Sequence, residues 1–183
     1  MGILLAFAPF IVFAIVDRIA GPTAGLAAGA AASAILLIRD LLAKNRSPKI
    51  LEIGTFVLFC SLLIYGWMRH NQWSVIGVRL CVDVGLLLVV LVSMAVRRPF
   101  TMQYAREQVG QEFWNSPEFV RTNYIITGVW AMAFAAMVAA ELALLYLPAM
   151  PRRLGIVVIV LALMGAVKFT GWYSNRVRSR PED

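Results

Sequence analysis

The chain has 183 residues, of which 61% are hydrophobic and only 15% charged, and its mean hydropathy is +0.77. A soluble domain carries about 25% charged residues, so this composition excludes a single water-soluble core and points to an integral membrane protein. The net charge of +7 would suggest nucleic acid in a soluble protein. Here the Lys and Arg residues stand mostly at the ends of apolar runs, where membrane topology accounts for them and no nucleic-acid partner is implied.

The apolar runs approach or reach the roughly 20 residues that cross about 30 Å of hydrocarbon as a helix. None shows the strict alternation of a barrel strand. The expected fold is therefore all-α, a polytopic transmembrane bundle forming one integral membrane domain over 1–183. Its six expected spans lie at about 3–20, 22–38, 50–68, 74–96, 117–147 and 154–173. The first run has no basic residue before Arg18, so it lacks the n-region of a signal peptide and is expected to stay as a helix. It either crosses fully or forms a re-entrant segment with the second.

Between the first two runs, "DRIAGPT" holds Gly21 and Pro22, which suit a tight helical hairpin. The second run then places Gly21, Gly25, Gly29 and Ser33 at four-residue steps on one face. Such a small-residue face lets another helix approach closely. The first helix of the same chain is preferred as its partner over a second copy, and a homo-oligomer stays open. The third and fourth runs carry Cys60 and Cys81, read as small packing residues. With His70 as the single histidine, no metal site and no cofactor are expected.

Charged residues inside spans are the main functional pointers in a membrane protein. Arg79 and Asp83 stand four apart in the first half of the fourth run, Asp17 and Arg18 close the first, and Glu141 lies toward the end of the fifth. With the N-terminus inside, these five are expected in the outer half of the bundle. They form either a structural network, with Arg79 paired to Asp83 or Glu141, or a polar path for a solute. Lys168 falls toward the opposite face and can snorkel to the interface.

After the fourth run comes "RRPFTMQYARE". Arg97 and Arg98 end the span and Pro99 breaks or restarts the helix. Met102, Ala105, Val109 and Phe113 then share one face, so an amphipathic helix over about 99–114 is expected in the interface, with Gly110 a point of interruption. The segment is either a connector that spans two helix ends or a docking surface for a cytoplasmic or membrane partner, with Tyr104, Arg106 and Glu107 expected on its exposed side. In "NSPEF", Ser116 is the expected N-cap and Pro117 the first helical residue. That fifth run is expected to stop at Pro148.

With the N-terminus inside, the inner segments carry Arg39, Lys44, Arg46, Lys49, Arg97, Arg98, Arg106, Arg121, Arg176, Arg178 and Arg180. The outer ones carry Arg18, Arg69, Arg79, Arg152 and Arg153. The excess places both termini in the cytoplasm. No HExxH, GxSxG or Gly-rich phosphate loop occurs, and no catalytic residue is expected.

Three stretches together carry a family resemblance. They are "FAPFIVFAIVDRIAGPTAGLAAGAAASAILLI", "RRPFTMQ", and "NYIITGVWAMAF" with its later "LYLP". The chain resembles the intracellular septation protein A family, small proteins of the bacterial inner membrane. The resemblance implies a non-enzymatic role in envelope maintenance and septation, through contacts with membrane proteins of cell division or elongation. A small solute or lipid transporter, or an accessory subunit of a larger membrane complex, are the alternatives.

Overall fold

A computed structural model describes residues 5–43, 48–69, 74–147 and 151–178, and every regular element among them is helical. In chain order these are α1 (Ala8–Ala20), α2 (Pro22–Leu42), α3 (Ile50–Arg69), α4 (Val75–Ala95), α5 (Phe100–Arg106), a 3-10 turn (Gln111–Phe113), α6 (Pro117–Tyr146) and α7 (Arg152–Arg178). Lys44, Arg46, His70, Pro148, Arg180 and the first residues of the expected opening span lie outside the described residues. Five helices, α2, α3, α4, α6 and α7, are long and apolar enough to cross a membrane. The 13 residues of α1 extend about 20 Å, short of that length.

The chain divides into two compact units, Met1–Val89 and Val90–Asp183. In the first, α1 packs on α2 and α2 on α3, around Phe13, Leu26, Ala30, Phe59, Val78 and Val82. Phe59 meets both Phe10 and Phe13, with ring centroids 5.4 and 5.6 Å away. The α1–α2 hairpin forms at Gly21, whose φ of +88° is the left-handed region a glycine enters without strain. Pro22 opens α2, where its missing N–H costs nothing.

The small residues expected to share one face serve different neighbours. A Cβ on Gly25 would lie 2.8–3.0 Å from the Cβ, Cα and N of Asp17, so α1 crosses there in backbone contact. A Cβ on Gly29 would lie 2.8 Å from the Phe59 ring of α3. Ser33 is buried and donates its hydroxyl to the Gly29 and Ala30 carbonyls at 2.9 Å, as a hydroxyl must in a helix with no water at hand. A second close approach joins α3 and α4. Val89 fills the space at Gly54, and Leu58 fills the space at Gly85. The glycine and the knob stand four apart on each helix, so the fit is reciprocal.

In the second unit, α6 packs on α7 and carries α5 on its first turns. Ser116 caps α6 by accepting the Phe119 N–H at 3.2 Å, with Pro117 at the first helical position, as the sequence predicts. The end of α4 is unusual. Arg97 has φ +58°, its N–H donates to the Met94 carbonyl at 3.0 Å, and the Arg98 N–H reaches back to Ser93 at 2.9 Å. This is a Schellman cap with arginine in the place usually held by glycine.

The segment expected as one amphipathic helix over 99–114 departs from that expectation. Helix α5 ends at Arg106, and only the short turn at Gln111–Phe113 follows. Val109 and Phe113 therefore do not continue the face of Met102. Thr101 is buried and docks α5 onto α6. With one proton to give, the Thr101 hydroxyl donates to the Asn123 carbonyl at 3.0 Å and accepts from the Thr127 hydroxyl at 2.7 Å.

Candidate functional site

Of the five charged residues expected together, the structure pairs Asp17 with Arg79. The Arg79 guanidinium donates through Nε and Nη2 to Asp17 Oδ2 at 2.9 and 2.6 Å. Within the first unit, the expected pairing of Arg79 with Asp83 is thus corrected: α1 ends against the start of α4, and its carboxylate reaches the guanidinium first. Asp83, one turn further along α4, is 9% exposed and has no hydrogen bond or ion pair among the described residues. Asp17 Oδ1 is buried without a hydrogen-bond partner. Arg18 points outward and is exposed. Glu141 is buried within the second unit.

A second ionic group in the first unit escaped the sequence reading. Asp40 is fully buried near the end of α2 and accepts from Arg39 Nε and Nη2 at 2.9 and 2.7 Å. Its other oxygen accepts from Lys49 Nζ at 2.5 Å. Glu52, in the first turn of α3, stands 3.8 Å from the same ammonium and 4.0 Å from Arg39. Lys49 is only 3% exposed. Burying a lone ammonium is prohibitive, so the acidic side chains of Asp40 and Glu52 beside it make this layer tolerable. Arg39 and Lys49 read as topology signals from sequence alone. The clue was acidic: Asp40 beside Arg39, and Glu52 three residues after Lys49, at the facing ends of consecutive helices.

The expected partner surface is smaller than the sequence suggests. Tyr104 is 2% exposed, with its ring edge-on to Phe100 at 6.5 Å, so it is a packing residue and not an exposed contact. Arg106 is half-buried, its guanidinium 5.2 Å from the centre of the Trp114 ring. Glu107 is exposed.

Further polar links hold the second unit. Trp130 donates its indole N–H to Thr170 at 3.0 Å, joining α6 to α7, and Thr170 passes its own proton to the Ala166 carbonyl. Asn123 donates to the Phe119 carbonyl at 2.8 Å. Both residues lie in the stretch that carries the family resemblance, and here they act as helix ties. Among the described residues no cluster of His, Cys, Asp and Glu has the make-up of a metal site. The sequence matches no family model, no curated protein and no solved structure.

Proposed function

We propose that this chain is a non-enzymatic, six-span protein of the bacterial inner membrane that supports envelope maintenance or septation through contacts with other membrane proteins. In this reading α1 completes the sixth crossing and both termini are cytoplasmic. The arrangement of the first unit supports it. The end of α1 meets the start of α4 through Asp17 and Arg79, and the end of α2 meets the start of α3 through Asp40 and Lys49. In this reading the two ionic layers stand at the outer and inner levels of an alternating bundle. The same reading puts segment 99–114 at the inner interface, and the Arg106–Trp114 stack supports a headgroup level for it.

The observation that carries the contact role is the exposed face of α7. Only 11% of its apolar window is buried. Val157, Leu161, Met164 and Trp172 share an exposed stripe, and Lys168 stands exposed in the same stripe with no ion pair among the described residues. Against lipid this ammonium must snorkel past Trp172. Against a neighbouring helix it can meet a carboxylate. The test is a photocrosslinking amino acid at Leu161 or Met164 in native membranes. Adducts with division or elongation proteins that vanish in Lys168→Leu are expected. Adducts with lipid and the chain itself alone would sink the reading.

One observation favours a second reading, a path for a small cationic solute. The Asp83 carboxylate and Asp17 Oδ1 lack hydrogen-bond donors beside Arg79, and intramembrane carboxylates commonly mark such paths. Proteoliposome uptake lost in Asp83→Asn would separate this reading from the first.

A further inference from the structure

The second unit holds a cleft of about 450 Å³ between the first turns of α6 and the last turns of α7, lined by Pro117, Glu118, Arg121, Thr122, Tyr173 and Val177. That volume lies within the roughly 300–1,000 Å³ of small-ligand sites. Glu118, Arg121 and Thr122 share one face of α6 at spacings of three and four, and Tyr173 and Val177 share one face of α7 four apart. The side chains of Glu118, Arg121 and Thr122, and the Tyr173 hydroxyl, make no hydrogen bond or ion pair among the described residues. Four polar groups of complementary chemistry thus face one space with no partner among the described residues.

The cleft also lies at a definite depth. Tyr173 stacks on Phe169 at 5.4 Å, and Trp172 beside it carries the Arg176 guanidinium at 5.2 Å. Trp114 stands three residues before Pro117. Clustered Trp and Tyr mark the headgroup level of a bilayer.

We propose that this cleft binds the headgroup of a zwitterionic phospholipid bearing a primary amine, of the phosphatidylethanolamine class. Arg121 takes the phosphate, since a guanidinium donates to two phosphate oxygens at once. The Thr122 and Tyr173 hydroxyls donate to the remaining oxygens. Glu118 takes the ammonium. A headgroup that is only anionic would meet repulsion from Glu118, and a quaternary ammonium has no N–H to offer its carboxylate. Pro117 and Val177 supply apolar surface for the glycerol and the start of the acyl chains. This inference does not rest on the contact role of α7.

The experiment is native mass spectrometry of the full chain released from phosphatidylcholine nanodiscs containing phosphatidylethanolamine or phosphatidylglycerol. The wild type should retain phosphatidylethanolamine over both other lipids. Arg121→Gln should lower that retention by about fivefold, the loss of one charge-assisted contact. Glu118→Gln should keep lipid bound but erase the preference over phosphatidylcholine. Both side chains are exposed, and an unchanged melting temperature will exclude unfolding; Tyr173→Phe gives a third variant if either fails that control. Glycerophosphoethanolamine, which has no acyl chains, should not compete. Equal retention of the three lipids, no effect of Arg121→Gln, or full competition by the soluble headgroup would each overturn the proposal.

Discussion

At the residue scale, the pairing of Asp17 with Arg79 makes a sharp prediction. Breaking a buried pair leaves one charge uncompensated, whereas replacing both partners with apolar groups removes that penalty. Asp17→Asn should destabilise the protein by about 3 kcal/mol, the low end for such pairs, because a third of the Arg79 side chain remains in contact with solvent or lipid headgroups (35% exposed). The double variant Asp17→Leu/Arg79→Leu should recover most of the loss when unfolding is followed in mixed SDS micelles. Equal losses in the single and double variants would contradict the pairing. Gly25 offers a steric counterpart. A methyl there meets the backbone of Asp17, which cannot rotate away as a side chain can. Gly25→Ala should therefore cost about 1–3 kcal/mol by overpacking, and more than Gly29→Ala, where the Phe59 ring can shift.

At the element scale, helix ends show where sequence is legible and where it is not. The α6 cap was readable because Ser116, Pro117 and Glu118 act on backbone within one turn of themselves. The same locality made the Gly21–Pro22 hairpin readable. Arg97 was readable as a helix end but not as a left-handed residue, since arginine is not a glycine surrogate by type. Its conformation follows from Ser93, which accepts the Phe100 N–H at 3.2 Å and fixes the turn from inside. Arg97→Gly should relieve the left-handed strain and stabilise the fold by about 1 kcal/mol, seen as a raised melting temperature. Arg97→Ala should give no such gain. Tyr104 was misread for the opposite reason. Helix α5 is oriented by a contact 22 residues away, between Thr101 and Asn123, and no periodicity within 99–114 contains that information.

At the scale of the whole molecule, hydropathy located the five long helices well, because burial in lipid is a property of composition. It could not fix the status of α1, whose apolar run is short and joined to α2 without a loop. Nor could it distinguish a charge that marks topology from one that is buried, since Asp40 and Lys49 come together only when α2 and α3 are docked. The proposed sixth crossing, by α1, has a direct check. In a cysteine-free background, a thiol at Arg18 should react with an impermeant maleimide in intact cells, while thiols at Gly2 and Arg98 should react only after permeabilisation. Reaction of the Gly2 thiol in intact cells would reduce the number of crossings to five.

The ionic layer of Asp40, Arg39, Lys49 and Glu52 has a consequence in time as well as in space. When α2 leaves the ribosome, α3 is not yet available, so Lys49 lacks Glu52 beside it. During insertion the basic charges between the two helices are free to respond to the membrane potential and to anionic headgroups. Once α3 docks, Lys49 is sealed and contributes almost nothing to the surface field. In the proposed topology the same side chain thus first helps orient the nascent hairpin and later locks it, and a substitution such as Lys49→Met is expected to disturb biogenesis and the mature fold by separate routes.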